Sequence, residues 1–198
     1  MSGYNYNRQP LRLTFGAATL WGTMAPAPFR RFLRLPGTTE GNTELQEIIQ
    51  VAGPWVESQC ATSLAERSMA LKVNIGGLYI TDVHGDTFIE LPYGPTSAAT
   101  SVVWSGGSEA SPTLETDTIP ERVKVPDDVP ADALELTVNY TAGHATWAAF
   151  TPQEQFAVMI AVSHFWQNRE SVAVGVNANP MPFMLSYALA AIDRNPIG

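Results

Sequence analysis

The chain has 198 residues, of which 45% are apolar and 15% charged, with a formal net charge of −8 and one cysteine. This length suffices for one domain with a sizeable core, or for one domain plus a long extension. No run approaches the roughly eighteen consecutive apolar residues of a membrane span. The N-terminus lacks the apolar run of a signal peptide, so we expect no association with a membrane. Because Cys60 is the only cysteine, no internal disulfide is possible, which favours a reducing compartment.

The charge is unevenly distributed along the chain. Residues 1–35 carry five arginines and no acid, whereas residues 36–198 carry all nineteen acids against six basic residues, a net charge of −13. Like charges give no counterion-release gain on nucleic acid, so the bulk of the chain is expected to repel DNA. The basic N-terminal section could contact a polyanion or an acidic partner, or it could be a solvated arm.

Two helices are predicted after an N-terminal arm at residues 1–25. Residues 1–10 of this arm are polar and turn-rich, and Leu11, Leu13 and Phe15 then alternate with polar residues as in a short strand. The run PFRRFLRL separates aromatic residues from arginines at helical spacing, which predicts a short helix at about residues 28–35. Apolar residues at spacings of three and four predict a second helix at about residues 44–62. Pro54 should kink or interrupt that helix.

From about residue 69 to about residue 141 the apolar period changes from about 3.6 to 2, which predicts a β region. Strands are expected at about residues 69–75, 87–91, 99–104, 122–125 and 134–140. The segment from Glu109 to Glu135 contains eight acids and two basic residues, and no apolar periodicity holds most of it in a core. We therefore expect an exposed loop or hairpin there.

The stretch at about residues 152–171 is predicted to be the central helix of the fold. Thr151, Pro152 and Glu154 form the start signal known as a capping box. The residues that follow are apolar over most of the helical girth, so the helix must be covered on several sides. After a segment rich in proline and asparagine, a last short helix is expected at about residues 183–194. It is too apolar to remain free in water, so it must dock onto its own domain or onto a neighbour.

The predicted fold class is α+β, because helices lie towards both ends of the chain and strands lie between them. The arrangement we expect is a helical bundle with an inserted small antiparallel β-sheet. In terms of domains, this gives an N-terminal arm at residues 1–25 and a single domain at residues 26–198, with the inserted β region at about residues 69–141.

No residue pattern in the sequence predicts a catalytic, cofactor-binding or metal site. There is no phosphate-binding glycine loop, nucleophile elbow or paired-cysteine motif. His84-Gly85-Asp86 has suitable residue types for a metal or acid–base site, but this tripeptide between two strands is more typical of a turn. Asp127-Asp128 lacks the surrounding loop of a calcium site. We therefore predict no enzymatic activity, no cofactor and no metal.

Five segments of the chain together carry a family resemblance. In chain order they are FRRFLRL, ELQEIIQVAGPWVESQC, IELPYGPTSAATSVVW, LELTVNYTAGHA and PQEQFAVMIAVSHFWQNRESV. This order resembles the head–tail connector proteins, also called adaptor or head-completion proteins, of long-tailed bacteriophages and gene-transfer particles. The most specific part is YTAGH followed at the right separation by AVSHFWQNRE, and the whole match covers about residues 26–194. Pro54 and the unaligned residues 1–22 depart from the family pattern.

The resemblance implies a non-enzymatic virion protein of the head–tail neck, present in the host cytoplasm during assembly. Such a protein would form a dodecameric ring beneath the portal, continue the DNA channel and join the DNA-filled head to the tail or stopper. Its partners would be other copies of itself, the portal protein and a stopper or tail-completion protein. DNA would pass through the channel without specific binding.

Two groups of residues are assigned to these contacts. Contact with the portal or with a neighbouring subunit is assigned to Phe183, Met184, Tyr187, Ile192 and Arg194. A loop that faces either the channel or the tail side is assigned to Glu115, Asp117, Glu121, Asp127 and Asp128.

Two other classes of protein stay open. Another neck or tail-completion ring protein would share the acidity and the oligomerisation, but it should be predominantly β, and the predicted helices count against it. A small hydrolase would use His84 or His144 with a carboxylate. It would need a pocket in which the histidine reaches both an acid and a nucleophile.

Overall fold

The computed structural model describes residues 12–74, 80–81, 86–130, 133–168 and 183–193. These residues form two compact units, each with its own hydrophobic core. The β unit comprises the described residues within 1–17 and 66–143, and the helical unit comprises those within 18–65 and 144–198. No helix in the described ranges is long and apolar enough to span a bilayer.

The described part of the β unit consists of two antiparallel sheets. Its strands are β1 (Arg12–Phe15), β2 (Arg67–Asn74), β3 (Ile80–Thr81), β4 (Thr87–Glu90), β5 (Thr96–Trp104), β6 (Gly107–Ala110), β7 (Leu114–Glu115), β8 (Arg122–Lys124) and β9 (Glu135–Ala142). One sheet has five strands in the order β1-β2-β9-β5-β6, and the other has four in the order β3-β4-β8-β7.

The alternation of residue types decides which side of the five-stranded sheet is buried. Met69, Leu71 and Val73 of β2 are buried, and the residues between them face the other side. β9 shows the same alternation and pairs with β2 so that Leu71 lies opposite Val138. Because neighbouring strands in register point equivalent side chains the same way, the apolar residues form one continuous core.

The helical unit is arranged around one central helix. The described helices are α1 (Leu20–Thr23), α2 (Ala27–Phe32), α3 (Asn42–Gln59), α4 (Pro152–Gln167) and α5 (Phe183–Ala190), with a 3-10 turn at Trp147–Ala149 before α4. α2, α3 and α5 all contact α4. This agrees with the apolar girth of α4, which requires cover on several sides.

The start of α4 confirms the predicted capping box. The backbone N–H of Glu154 donates to the hydroxyl oxygen of Thr151 at 3.3 Å, and the backbone N–H of Thr151 donates to the Glu154 carboxylate at 2.7 Å. Pro152 occupies the first helical position, where no donor is needed. Local sequence therefore fixes where this helix begins.

Pro54 does not interrupt the second predicted helix, since α3 continues through this residue to Gln59. The residue before it, Gly53, is buried and faces the indole ring of Trp21. A Cβ atom at Gly53 would overlap that ring. The glycine thus allows α1 to pack closely on α3.

The predicted helical bundle with a small inserted sheet is wrong. The described strands form two antiparallel sheets, of five and four strands, which enclose a separate core. Two features caused the underestimate. β1 pairs with β2 although α1, α2 and α3 lie between them in the sequence. β3 and β7 are only two residues long, which is too short to show a period.

Candidate interaction surfaces

Helix α5 packs one side onto its own unit and leaves the other side exposed. Leu185, Ala188 and Leu189 belong to the core of the helical unit. Met184 and Tyr187, on the other side, are 55% and 69% exposed. The helix is therefore held intramolecularly while it still presents an aromatic and a thioether side chain to solvent.

The five residues assigned to portal or subunit contact fall into three groups. Met184 and Tyr187 are available on the exposed side of α5. Ile192 is only 9% exposed and belongs to the core of its own unit, so it is not available to a partner. The side chain of Phe183 and the whole of Arg194 lie outside the described residues.

The five acids assigned to a channel or tail-side loop also differ in their surroundings. Asp117, Asp127 and Asp128 are exposed. Glu121 is only 5% exposed, and the Glu115 carboxylate lies 2.5 Å from the Arg122 guanidinium. The three aspartates therefore present their carboxylates to the surroundings, whereas the two glutamates are engaged within the β unit.

One of these aspartates belongs to a small ion cluster. The Lys124 ammonium lies 2.9 Å from the Asp86 carboxylate and 3.7 Å from that of Asp127. The hydrogen bond to Asp86 is the main reason why the pKa of Lys124 is raised. Asp86, the described member of the His84-Gly85-Asp86 motif, thus has a structural role at this cluster. His84 and Gly85 lie outside the described residues.

Strands β7 and β8 form a hairpin with an exposed apolar tip. We call residues 116–121, between the two strands, the hairpin tip. At the base, the Arg122 guanidinium pairs with Glu115 and stacks over the ring of Phe88 at 4.2 Å. Within the tip, the Thr118 hydroxyl donates to the carbonyl oxygen of Pro120 at 3.0 Å. Ile119 is 74% exposed, so the hairpin presents an apolar side chain on a fixed base.

A groove of about 500 Å³ lies on the side of the five-stranded sheet that faces away from its core. Thr137 is paired with Lys72 on one side and with Val103 on the other, and these three residues form one row across the groove. Leu134 is 81% exposed, and Val103 is 38% exposed. We call this feature the sheet groove, and its lining includes Lys72, Val103, Trp104, Leu134, Glu135 and Thr137.

The hairpin tip lies within the segment from Glu109 to Glu135, for which an exposed loop or hairpin was predicted, whereas the sheet groove was not predicted. Leu134 was placed at the start of the strand predicted at residues 134–140, but it precedes Glu135, the first paired residue of β9. The groove depends on which residues of β2, β9 and β5 lie side by side. That register cannot be predicted from the sequence of any one of the three strands. The only available signal was Val103, an apolar residue between Val102 and Trp104, which are both buried.

His144 and Glu154 form a histidine–carboxylate pair, but the Glu154 carboxylate also caps the first turn of α4. His144 Nε2 lies 3.1 Å from Glu154 Oε2, and the Glu154 side chain is 7% exposed. The same oxygen accepts the hydrogen bond from the Thr151 backbone N–H. The ring of His144 packs against Phe150 at 5.3 Å. This arrangement stabilises the entry into the helix, and its carboxylate is already engaged.

The cysteine is a structural residue of the helical unit. Cys60 is fully buried, and its thiol lies 3.5 Å from the carbonyl oxygen of Leu189. Burial, with a smaller contribution from the charge of Asp193, raises the pKa of Cys60 to about 12. A nucleophilic thiolate is therefore not formed at neutral pH. No group of three or more His, Cys, Asp or Glu residues in the described ranges could hold a metal ion.

No protein-family model and no curated protein matches the chain. Solved structures with the same fold include chains of gene transfer agent (GTA) particles. A chain of the neck of an empty GTA particle, computed with C6 symmetry, superposes with a TM-score of 0.65 at 19% identity, over 91% of this chain and 94% of that one. A chain of the neck of a native GTA particle, computed with C12 symmetry, gives 0.61 at 19% identity over the same shares. A chain of the virion of a native GTA particle gives 0.61 at 22% identity, over 92% and 94%. At these identities, the likeness establishes a shared fold.

Proposed function

We propose that this chain is a structural protein of the neck of a gene-transfer particle or long-tailed phage. Copies of the chain form a ring beneath the portal that joins the DNA-filled head to the tail or stopper and continues the DNA channel. The protein acts through its surfaces and not through catalysis. It resides in the virion after passing through the host cytoplasm during assembly.

The observation that carries this proposal is the extent of the shared fold. The superposition with GTA neck chains includes 91% of this chain and 94% of the solved chain, so both units take part and not one common motif. The solved necks were computed with C6 and with C12 symmetry. A twelve-membered ring satisfies both symmetries, which supports a ring of twelve copies.

The exposed side of α5 is the proposed contact with the portal or with an adjacent subunit. Met184 and Tyr187 are exposed although they are large and apolar. Tyrosine and methionine are enriched at protein interfaces, where an aromatic side chain can anchor the contact. Because the opposite side of α5 packs into its own unit, the helix offers these two side chains without having to unfold.

The exposed aspartates Asp127 and Asp128 are the proposed residues of a channel or tail-side loop. The net charge of −8 also suits a ring through which DNA moves. Negative carboxylates near the path release no counterions when DNA passes, so they do not retain it.

The decisive experiment removes the gene from the particle-producing cell. We expect DNA-filled heads that lack tails, and we expect purified wild-type protein to restore tail joining when it is added to such heads. Electron microscopy of the restored particles should then show the protein as a ring at the neck. Normal tailed and active particles in the absence of the gene would contradict the proposal.

A further inference from the structure

We propose that copies of this chain join head to tail through their β units, with the hairpin tip of one copy seated in the sheet groove of the next. The inference rests on the proposed ring and names the contact that closes it. The occupant of the groove is thus a second copy of this chain.

The hairpin tip has the properties of an inserted element. Ile119 is 74% exposed, so its apolar surface gains from being covered. The ion pair between Arg122 and Glu115 and the hydrogen bond within the tip restrict the conformations open to the hairpin. A preorganised segment loses less conformational entropy on binding than a flexible one.

The sheet groove has the complementary properties. Its volume of about 500 Å³ lies in the range of roughly 300–1,000 Å³ that encloses a drug-sized molecule, so it has room for the end of a loop. Leu134 and Val103 supply apolar surface that is exposed in the single chain. The residues of the β sheet on which it lies are fixed by pairing with two neighbours, so the groove is preformed.

The charges of the two surfaces are compatible. Asp117 is exposed in the hairpin tip. Lys72, in the lining of the groove, has a side chain that is 41% exposed and lies 2.6 Å from the Glu135 carboxylate. The Asp117 carboxylate of one copy could therefore approach the Lys72 ammonium of the next, which would then interact with both Asp117 and Glu135. Opposite charges across an interface favour one orientation of the partner.

The base of the hairpin tip, at Glu121, and the sheet groove lie on opposite sides of the five-stranded sheet. The Leu91 backbone N–H donates to the carbonyl oxygen of Glu121 at 2.8 Å, and the Tyr140 hydroxyl donates to that of Pro92 at 2.7 Å. Glu121, at the base of the tip, is thus hydrogen-bonded to the segment Leu91–Pro92, and Tyr140 contacts the same segment from the buried side of β9. Thr137, in the groove, points to the other side because residues along a strand alternate.

This separation means that the two surfaces cannot meet within one copy, whereas they can meet between copies. A contact between two different patches of the same molecule is heterologous, and it generates a ring when the rotation between copies closes. A two-fold dimer, in contrast, would bring identical patches together. The placement of the tip and the groove therefore favours a ring.

The test uses the full-length double variant I119C/L134C, assembled into particles and treated with a short bismaleimide. Each copy then carries one cysteine on its tip and one at its groove, so we expect a ladder of linked copies that ends at the copy number of the ring. The single variants I119C and L134C should give no ladder. Cys60 is fully buried and is not expected to react.

A second measurement uses Ile119→Asp, which places a charge on the tip. Self-association should weaken by at least about 10-fold, with an unchanged melting temperature because Ile119 is exposed. Val51→Asp, at an aliphatic residue of α3 that is 60% exposed, is the matched control and should assemble as the wild type does.

Three outcomes would overturn the inference: rings on particles without a ladder, a dimer from I119C alone, or normal assembly of Ile119→Asp. Absence of the protein from the neck would instead overturn the proposed function.

Discussion

Gly53 lies within α3 with the indole ring of Trp21 packed on it. Replacing it with alanine would raise intrinsic helix propensity by up to about 1 kcal/mol, but the added methyl group would overlap the ring. Because overpacking costs roughly 1–3 kcal/mol, we expect Gly53→Ala to lower the free energy of unfolding. Gly22→Ala is the control, since a Cβ there meets nothing within 4 Å. Denaturant unfolding that finds Gly53→Ala as stable as Gly22→Ala would contradict this packing.

Cys60 gives a prediction for alkaline conditions. Its pKa is raised from 9.0 to about 12, so between these pH values the folded chain keeps a proton that the unfolded chain releases. Stability should therefore fall as the pH rises from about 9 to about 12. At pH 9 a thiol reagent should label the denatured protein rapidly and the native protein hardly at all. Equal labelling rates would show that the thiol is accessible.

At the scale of elements, substitutions in α5 can distinguish its role in stability from its role in partner contact, whereas a deletion of the helix would remove both. Leu185→Ala removes a fully buried side chain and should cost about 2–5 kcal/mol of stability. Tyr187→Ala removes a side chain that is 69% exposed, so the melting temperature should stay the same while the joining of heads to tails falls. A Tyr187→Ala protein that restores tail joining fully would argue against the proposed contact.

The sequence predicted those elements whose signals are local. The start of α4 follows from Thr151, Pro152 and Glu154, and β9 follows from the alternation of Leu136, Val138 and Tyr140. Both signals occupy consecutive residues. The prediction failed where an element depends on distant pairing or on a contact from elsewhere in the chain. The short strand at β1 was predicted, but its place in the five-stranded sheet depends on its pairing with β2. The need for glycine at position 53 depends on the contact with Trp21.

The interaction surfaces were less predictable than the core, for the same physical reason. Burial follows from period, but whether a residue stays exposed depends on what covers it. Ile192 was assigned to a partner and belongs to a core, whereas Leu134 was placed in a strand and lies outside it, 81% exposed. Met184 and Tyr187 were proposed as contacts and are exposed, which keeps the proposal open to test.

For the whole molecule, charge predicts how the protein behaves toward DNA. With a net charge of −8, the wild-type protein should not bind double-stranded DNA at physiological salt. The variant D127K/D128K reduces the net negative charge by four and should gain weak binding that disappears as salt is raised. Fluorescence anisotropy with a labelled duplex measures both. Salt-resistant binding by the wild-type protein would contradict the expected role of the acids.

The pairing of β1 with β2 also has a consequence for synthesis and for the design of fragments. β1 leaves the ribosome first, but its partner follows only after α1, α2 and α3. These helices in turn wait for α4, which is made after the strands of the β unit. The two stretches that form each unit are therefore separated in sequence by a stretch of the other unit. Contacts between residues so far apart in the sequence slow folding. Because each unit consists of two separate stretches of the chain, no continuous fragment contains one whole unit without residues of the other. We therefore expect that producing one complete unit alone would require rejoining its two pieces with a new linker.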